Sequence, residues 1–290
     1  IYENGLGGNA KNLKKAVEYY TKAANGNDAQ ALFRLGNFFE AGVKEGEEVL
    51  VQKNEKSALD LYRLAAQNNL AEGFYNVGVY YETGTVVDKD LAKAFTFHLR
   101  AANAGLPQAQ HRLAGLYQNG GGVAQDLVAA MGWYQRAADA NYVPAQIALG
   151  QMHELGAGGR VEPNAAALNY SNAAEQGNPL AMLRLASLYE RGLATPGNKP
   201  DLARAAAYAD LAVDYSDKAD IAVKYRDELK KKMTQEQLAE AKRIYDAQVV
   251  KLPKPGAAPA AAAPGATPGA TPAPVPTPAP TAPAPKKGKK

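Results

Sequence analysis

The chain has 290 residues, with 33 basic and 29 acidic side chains, three histidines and no cysteine. The missing cysteines exclude a disulfide framework and any thiolate metal site, and no apolar run reaches the roughly 18 to 20 residues that a membrane-spanning helix needs. Six lysines and no acid lie from Lys251 onward, which leaves 27 basic against 29 acidic residues before it; a body near −2 lacks the broad basic face that phosphate neutralisation demands, so nucleic acid is not an expected partner of it.

In chain order, a helix-ending glycine recurs at Gly5, Gly42, Gly84, Gly120, Gly156 and Gly192, at spacings of 37, 42, 36, 36 and 36 residues. A period of this size predicts a tandem array in which each unit is one helical hairpin stacked on its neighbours. Tyr2 and Gly5 sit where Tyr117 and Gly120 sit in a complete unit. Residues 1–5 therefore read as the second half of a first helix, and further sequence, a secretion signal among the candidates, is expected upstream.

The unit from Pro107 to Asn141 is the clearest. Ala109, Leu113, Ala114 and Tyr117 keep to one face of a first helix, A. Asp126 is placed to cap a second helix, B, which carries Ala130, Trp133, Tyr134, Ala137 and Ala138. Equivalent caps are Asn12, Asn54, Asp90, Glu162 (followed by Pro163) and Asp201, and helix B stops at Asn27, Asn69, Gly105, Asn141 or Gly177, residue types that tolerate the left-handed conformation of a C-terminal cap. Inside helix A, Gly36, Gly78, Ala114, Gly150 and Ala186 share one register. A mid-helix glycine costs about 1 kcal/mol relative to alanine, so its recurrence implies that a neighbouring helix passes too close for a larger side chain. Ala31, Gly73, Ala109, Ala145 and Ala181, and the pairs Ala65–Ala66, Ala101–Ala102, Ala137–Ala138 and Ala173–Ala174, read the same way, with Tyr62, Phe97, Trp133, Tyr134, Tyr170 and Tyr189 filling the core between them.

The segment from Gly42 to Asn54 is longer than its counterparts and reads as a charged loop insertion, either a tolerated surface feature or a partner contact. Beyond Ser216 the pattern weakens. Ile221, Tyr225 and Leu229 make one amphipathic face, and Thr234 with Gln237 predicts a capping box opening a last helix through Leu238, Ala241 and Tyr245. Such a polar terminal helix is what an array needs where stacking stops. After Leu252 come 12 prolines between Pro253 and Pro285, with Ala, Thr and Gly, and the chain ends in PKKGKK. That composition predicts a disordered, extended linker whose lysine end is either a solubilising terminus or a contact to an anionic surface or polymer. The expected division is 1–215 for the repeats, 216–250 for capping helices and 251–290 for the linker.

No residue set points to chemistry. His98 and His153 occupy registers that hold tyrosine in other units and read as packing residues, whereas His111 lies on another face and is expected to be exposed. His153-Glu154 lacks the second histidine of a zinc helix, and the glycine clusters at Gly120–Gly122 and Gly156–Gly159 follow helices and lack a P-loop lysine. No catalytic, cofactor-binding or metal-ligating residue is assigned.

The recurring A-x-x-x-L-G-x-x-Y-x-x-G, loop, D-x-x-x-A-x-x-W-Y and A-A-x-x-G elements resemble the Sel-1-like repeat, a relative of the tetratricopeptide repeat, over residues 1 to about 216 as one half unit and five full ones. The resemblance implies an all-α, right-handed α-α solenoid that is not an enzyme, uses no cofactor and serves as a protein–protein interaction scaffold. It also favours the periplasm or envelope of a bacterium, which leaves an envelope structural role supporting an exopolysaccharide, cell-wall or motility assembly as the alternative. By analogy with the tetratricopeptide geometry, an unidentified protein segment would lie on a concave face made by Phe33, Asn37, Tyr75, Val79, His111, Gln118, Gln151, Leu183 and Ser187. The residue after the Tyr register is acidic at Glu3, Glu40, Glu82, Glu154 and Glu190. Those carboxylates are either solvent-facing filler or a ladder selective for a basic or amide-rich segment, the chain's own lysine tail included.

Overall fold

The computed structural model describes residues 2–4, 12–217 and 219–255. Gly5, the linker from residue 256 and its terminal lysines lie outside the described residues. Within them the chain alternates B and A helices. The B helices are α1 (Leu13–Asn25), α3 (Glu55–Gln67), α5 (Leu91–Asn103), α7 (Leu127–Asp139), α9 (Pro163–Glu175) and α11 (Leu202–Asp214). The A helices are α2 (Ala29–Ala41), α4 (Ala71–Thr83), α6 (Pro107–Asn119), α8 (Val143–Leu155) and α10 (Pro179–Glu190), and α12 (Asp220–Lys231) and α13 (Gln235–Val249) close the array. Each helix from α1 to α11 packs on the next in sequence, and α13 packs back on α11.

The boundaries have local causes. Asn12, Asn54, Asp90, Asp126 and Asp201 each accept from a first-turn backbone N–H of their B helix, a contact worth about 1 kcal/mol. Glu162 departs from this expectation: its side chain makes no cap bond and instead takes His153 Nδ1 at 3.2 Å and Arg160 Nε at 3.1 Å. The B helices end with left-handed residues at Asn27, Asn69, Gly105, Asn141 and Gly177. The alanine pairs are buried in every central unit. At Gly73 an added Cβ would lie 2.6 Å from the Ala66 backbone nitrogen, so here two helix backbones do touch.

The mid-helix glycines have a different cause from the one expected. Opposite Gly36, Gly78 and Gly150 lies an aromatic ring, not a helix backbone: an added Cβ would come within 2.6 Å of the Tyr62 ring, 2.7 Å of His98 and 2.6 Å of Tyr170. Each ring comes from the eighth residue after the B-helix cap and lies flat against its own unit's A helix. His98 is fully buried there, as expected of a packing residue, and its Nδ1 has no hydrogen-bond partner.

The insertion after Gly42 folds as an antiparallel hairpin, β1 (Val43–Glu45) with β2 (Glu48–Val51), seated against α1. At the other end, Thr234 and Gln237 form the expected capping box. The expected α12 face holds at Tyr225 and Leu229 and fails at Ile221. Ala222 and Leu229 are buried and Tyr225 half-buried, whereas Ile221 is 78% exposed, because α12 turns toward α11 along the Ala222 register. Leu252 packs against the last units and the Pro253 carbonyl accepts from the Tyr215 hydroxyl at 2.6 Å, so packed chain continues past Val250.

Gly78→Leu and Ala102→Leu should each lower stability by about 1–3 kcal/mol, since both overfill a closed contact. His98→Tyr should leave the denaturation midpoint unchanged or raise it: the same ring already lies over Gly36 and Gly150, and the unpaired Nδ1 disappears. Denaturant unfolding of the three variants checks this, and a common midpoint would disprove the packing account.

Candidate partner-binding face

The expected binding residues occupy three registers of the A helices. The fifth residue is Phe33, Tyr75, His111, Ile147 or Leu183; the ninth is Asn37, Val79, Gly115, Gln151 or Ser187; the twelfth is Glu40, Glu82, Gln118, Glu154 or Glu190. Except for Glu40, which is exposed, all are half-buried. They form one face because helical periodicity returns positions five, nine and twelve to the same side.

At the fifth position the rings lean on the buried B-helix ring beneath. Phe33 lies 5.9 Å from Tyr62, Tyr75 5.6 Å from His98 and His111 5.4 Å from Tyr134, measured between centroids. His111 also meets Tyr142 edge-on at 5.6 Å. It is not the exposed residue expected; burial lowers its pKa to about 4, helped by the neighbouring Arg112 and opposed by Glu82.

The twelfth position is neither filler nor a free ladder. Every member accepts a hydrogen bond from a ring packed below. Tyr62 donates to Glu40 at 3.0 Å, Tyr134 to Gln118 at 2.9 Å, Tyr170 to Glu154 at 3.0 Å and Tyr225 to Glu190 at 2.9 Å; His98 Nε2 lies 3.2 Å from Glu82, and Tyr20 donates to Glu3 at 2.8 Å in the first unit. A buried phenol without an acceptor costs about 1–3 kcal/mol, which explains an acid at a helix C-terminus where the macrodipole disfavours one. The last unit departs in an informative way. Ala209 stands where the other B helices carry the ring, and Tyr225 of α12 supplies it from outside the repeat.

Cations complete three of these junctions. Arg112 Nη1 reaches Glu82 at 3.2 Å, Arg191 Nη1 reaches Glu154 at 2.9 Å and Lys232 Nζ reaches Glu190 at 3.0 Å. The hydrogen bond from His98, opposed by burial and reinforced by Arg112, holds the Glu82 carboxyl below its usual range. None of these cations was singled out in the sequence. Arg112 could have been, since Arg34, Arg112 and Arg184 share one A-helix register. Among the described residues, no group of three or more His, Asp or Glu is arranged to hold a metal ion.

Residues 1–28, 29–70, 71–106, 107–142, 143–178 and 179–214 each match the Sel1 repeat. The chain belongs to the Sel1 repeat family. A crystallised Sel1 repeat protein from Oxalobacter formigenes is 33% identical with a TM-score of 0.64, covering 73% of this chain and 82% of its own. A protective antigen of uropathogenic Escherichia coli strains, displaying an SLR fold, is 24% identical with a TM-score of 0.51 over 86% of this chain, which spans 59% of that one; this likeness shows the fold alone. No curated protein matches the chain. The expected all-α array of packed helix pairs is thus the fold of this Sel1 repeat protein, and among the described residues no helix is long and apolar enough to cross a membrane.

Two outcomes follow from the ring–acceptor junction. Glu154→Gln should keep near-parental stability, because Gln118 already serves Tyr134 in the same way, whereas Glu154→Ala should cost about 1–3 kcal/mol by leaving the Tyr170 hydroxyl unpaired. Chemical denaturation separates the two. The second concerns alkali. Burial first, and then the facing carboxylate, raises the pKa of Tyr62, Tyr80, Tyr170 and Tyr225 above the ordinary 10.0. Their contribution is therefore complete below pH 10 and is lost progressively as the pH climbs above 10 toward the folded-state values, because there the unfolded chain ionises first. The melting temperature should fall steeply above pH 10, with tyrosinate absorbance appearing together with the loss of helix.

Proposed function

We propose that this Sel1 repeat protein is a non-catalytic scaffold that holds a partner protein's segment along its A-helix face. One observation carries the reading. The half-buried fifth register is made of rings and aliphatics, namely Phe33, Tyr75, His111, Ile147 and Leu183, spaced one repeat apart and each backed by a buried B-helix side chain or the apolar core. Anchors of this kind are already ordered, so docking a segment on them costs little side-chain entropy.

Arg34 supports the same reading: its guanidinium lies 5.9 Å from the Phe33 ring centroid, and no ion pair engages it among the described residues. An exposed aromatic–arginine surface is of the type enriched at protein interfaces. The twelfth register contributes less than a free acidic ladder would, since three of its carboxylates already bear a cation.

Photo-crosslinking in producing cells tests the face. A benzoyl-phenylalanine at Tyr75 or Leu183 should give discrete protein adducts, and one at Val128 or Leu168, which are exposed on B helices, should not. Adducts from the B-helix positions alone would place the partner elsewhere.

A further inference from the structure

Four full units present a glutamate at the twelfth A-helix position, and the chain itself shows what that position takes. Glu82, Glu154 and Glu190 each carry a guanidinium or ammonium at 2.9–3.2 Å in addition to the ring donor beneath. Glu40 does not. Asn76 stands at the register from which Arg112 reaches Glu82, and the nearest lysine, Lys53, is paired with Glu55 at 2.8 Å. No ion pair to Glu40 is formed among the described residues. Its two oxygens accept from Tyr62 at 3.0 Å and from Tyr80 at 3.1 Å. Two neutral phenols satisfy hydrogen bonding without neutralising the charge, and Lys53, whose ammonium feels Glu40, is committed to Glu55. Tyr80 occurs in this unit alone, with Phe38, Leu116, Met152 and Leu188 in the same register elsewhere.

The surroundings suit a cation. Glu40 is exposed, so its outer side can be reached, while the hydroxyls of the buried Tyr62 and Tyr80 hold its inner side. Asn37, which accepts from the Tyr62 hydroxyl at 2.7 Å, adds a second oxygen at the rim. An exposed carboxylate fixed by two phenols attracts a positive charge by ion pairing and by charge-assisted hydrogen bonding.

We propose that Glu40, held by Tyr62 and Tyr80, is a socket for one arginine or lysine side chain of the bound protein segment, filling in trans the place that Arg112, Arg191 and Lys232 fill in cis. The proposal rests on the A-helix face being the docking surface and adds the chemistry of one anchor. It also distinguishes one unit from the rest, because among the described glutamates of the full units Glu40 is the one that forms no ion pair.

The test uses the full chain and four pools of fluorescent nonapeptides, random except for a fixed central arginine, lysine, citrulline or glutamate. Anisotropy at low salt should show the arginine and lysine pools binding about 5-fold or more tightly than the citrulline pool, with the preference shrinking as salt is added. Two variants remove the preference by opposite routes. Glu40→Gln deletes the charge, and Asn76→Arg supplies the cation internally, with Asn76→Gln as the control for the Asn76 contact to the Tyr62 hydroxyl that it also removes. Equal binding of the arginine and citrulline pools, no binding of the basic pools, or a preference that survives in both variants overturns the socket. Crosslinking from Tyr75 and Leu183 does not depend on residue 40, so the docking face stands or fails separately.

Discussion

The structure depends on one junction repeated along the chain: a ring from helix B lies under the A helix of its own unit and gives its polar hydrogen to the side chain at that helix's twelfth position. The ring must lie flat to bury its apolar body, which requires glycine or alanine above it, as at Gly36, Gly78 and Gly150. Its hydroxyl then emerges beside the glutamate or glutamine of that position, and the single Tyr62 proton is shared between Glu40 and Asn37. Packing, backbone choice and acceptor are thus three sides of one constraint. The closing helices obey it as well, since Tyr225 fills the vacancy over Ala209 and Lys232 supplies the matching cation.

This junction decides what the A-helix face can offer a partner. Carboxylates that look like a ladder in one dimension are mostly engaged in holding the array together, so the face is less acidic than its composition implies. What remains outward is aromatic and cationic surface, with Glu40 as the glutamate of the full units that forms no ion pair among the described residues. Selectivity along such a face comes from differences between units, because a partner lying over identical units could slide by one repeat with no change in contacts.

Much of the fold was legible because its signals are local. A cap residue and the helix it opens, or a left-handed asparagine and the helix it ends, are neighbours in sequence, and a 36-residue period multiplies each signal. The A-helix face was legible as a register, whereas the hydrogen-bond partners of its glutamates were not. Its decisive partners are distant: Glu82 with His98, Gln118 with Tyr134 and Glu154 with Tyr170 are each separated by 16 residues. That constant separation was a usable signal. Arg191 and Lys232 had none, since the Arg191 register holds Ala41, Thr83, Asn119 and Leu155 in the other units and Lys232 lies beyond the repeats. The hairpin after Gly42 was hidden by its charge, and Ile221 by an amphipathic pattern that holds equally well one residue later.

The cap carries a consequence for how such a chain can change over generations. Because α12 presents to the final repeat what a further B helix would have presented, the last junction is interchangeable with those before it. A gene duplication that inserts one more 36-residue unit ahead of α11 would meet familiar contacts on both sides, and the terminal piece would fit unaltered. Length, and with it the footprint available to a partner, can then grow or shrink in whole steps without a new core having to be invented.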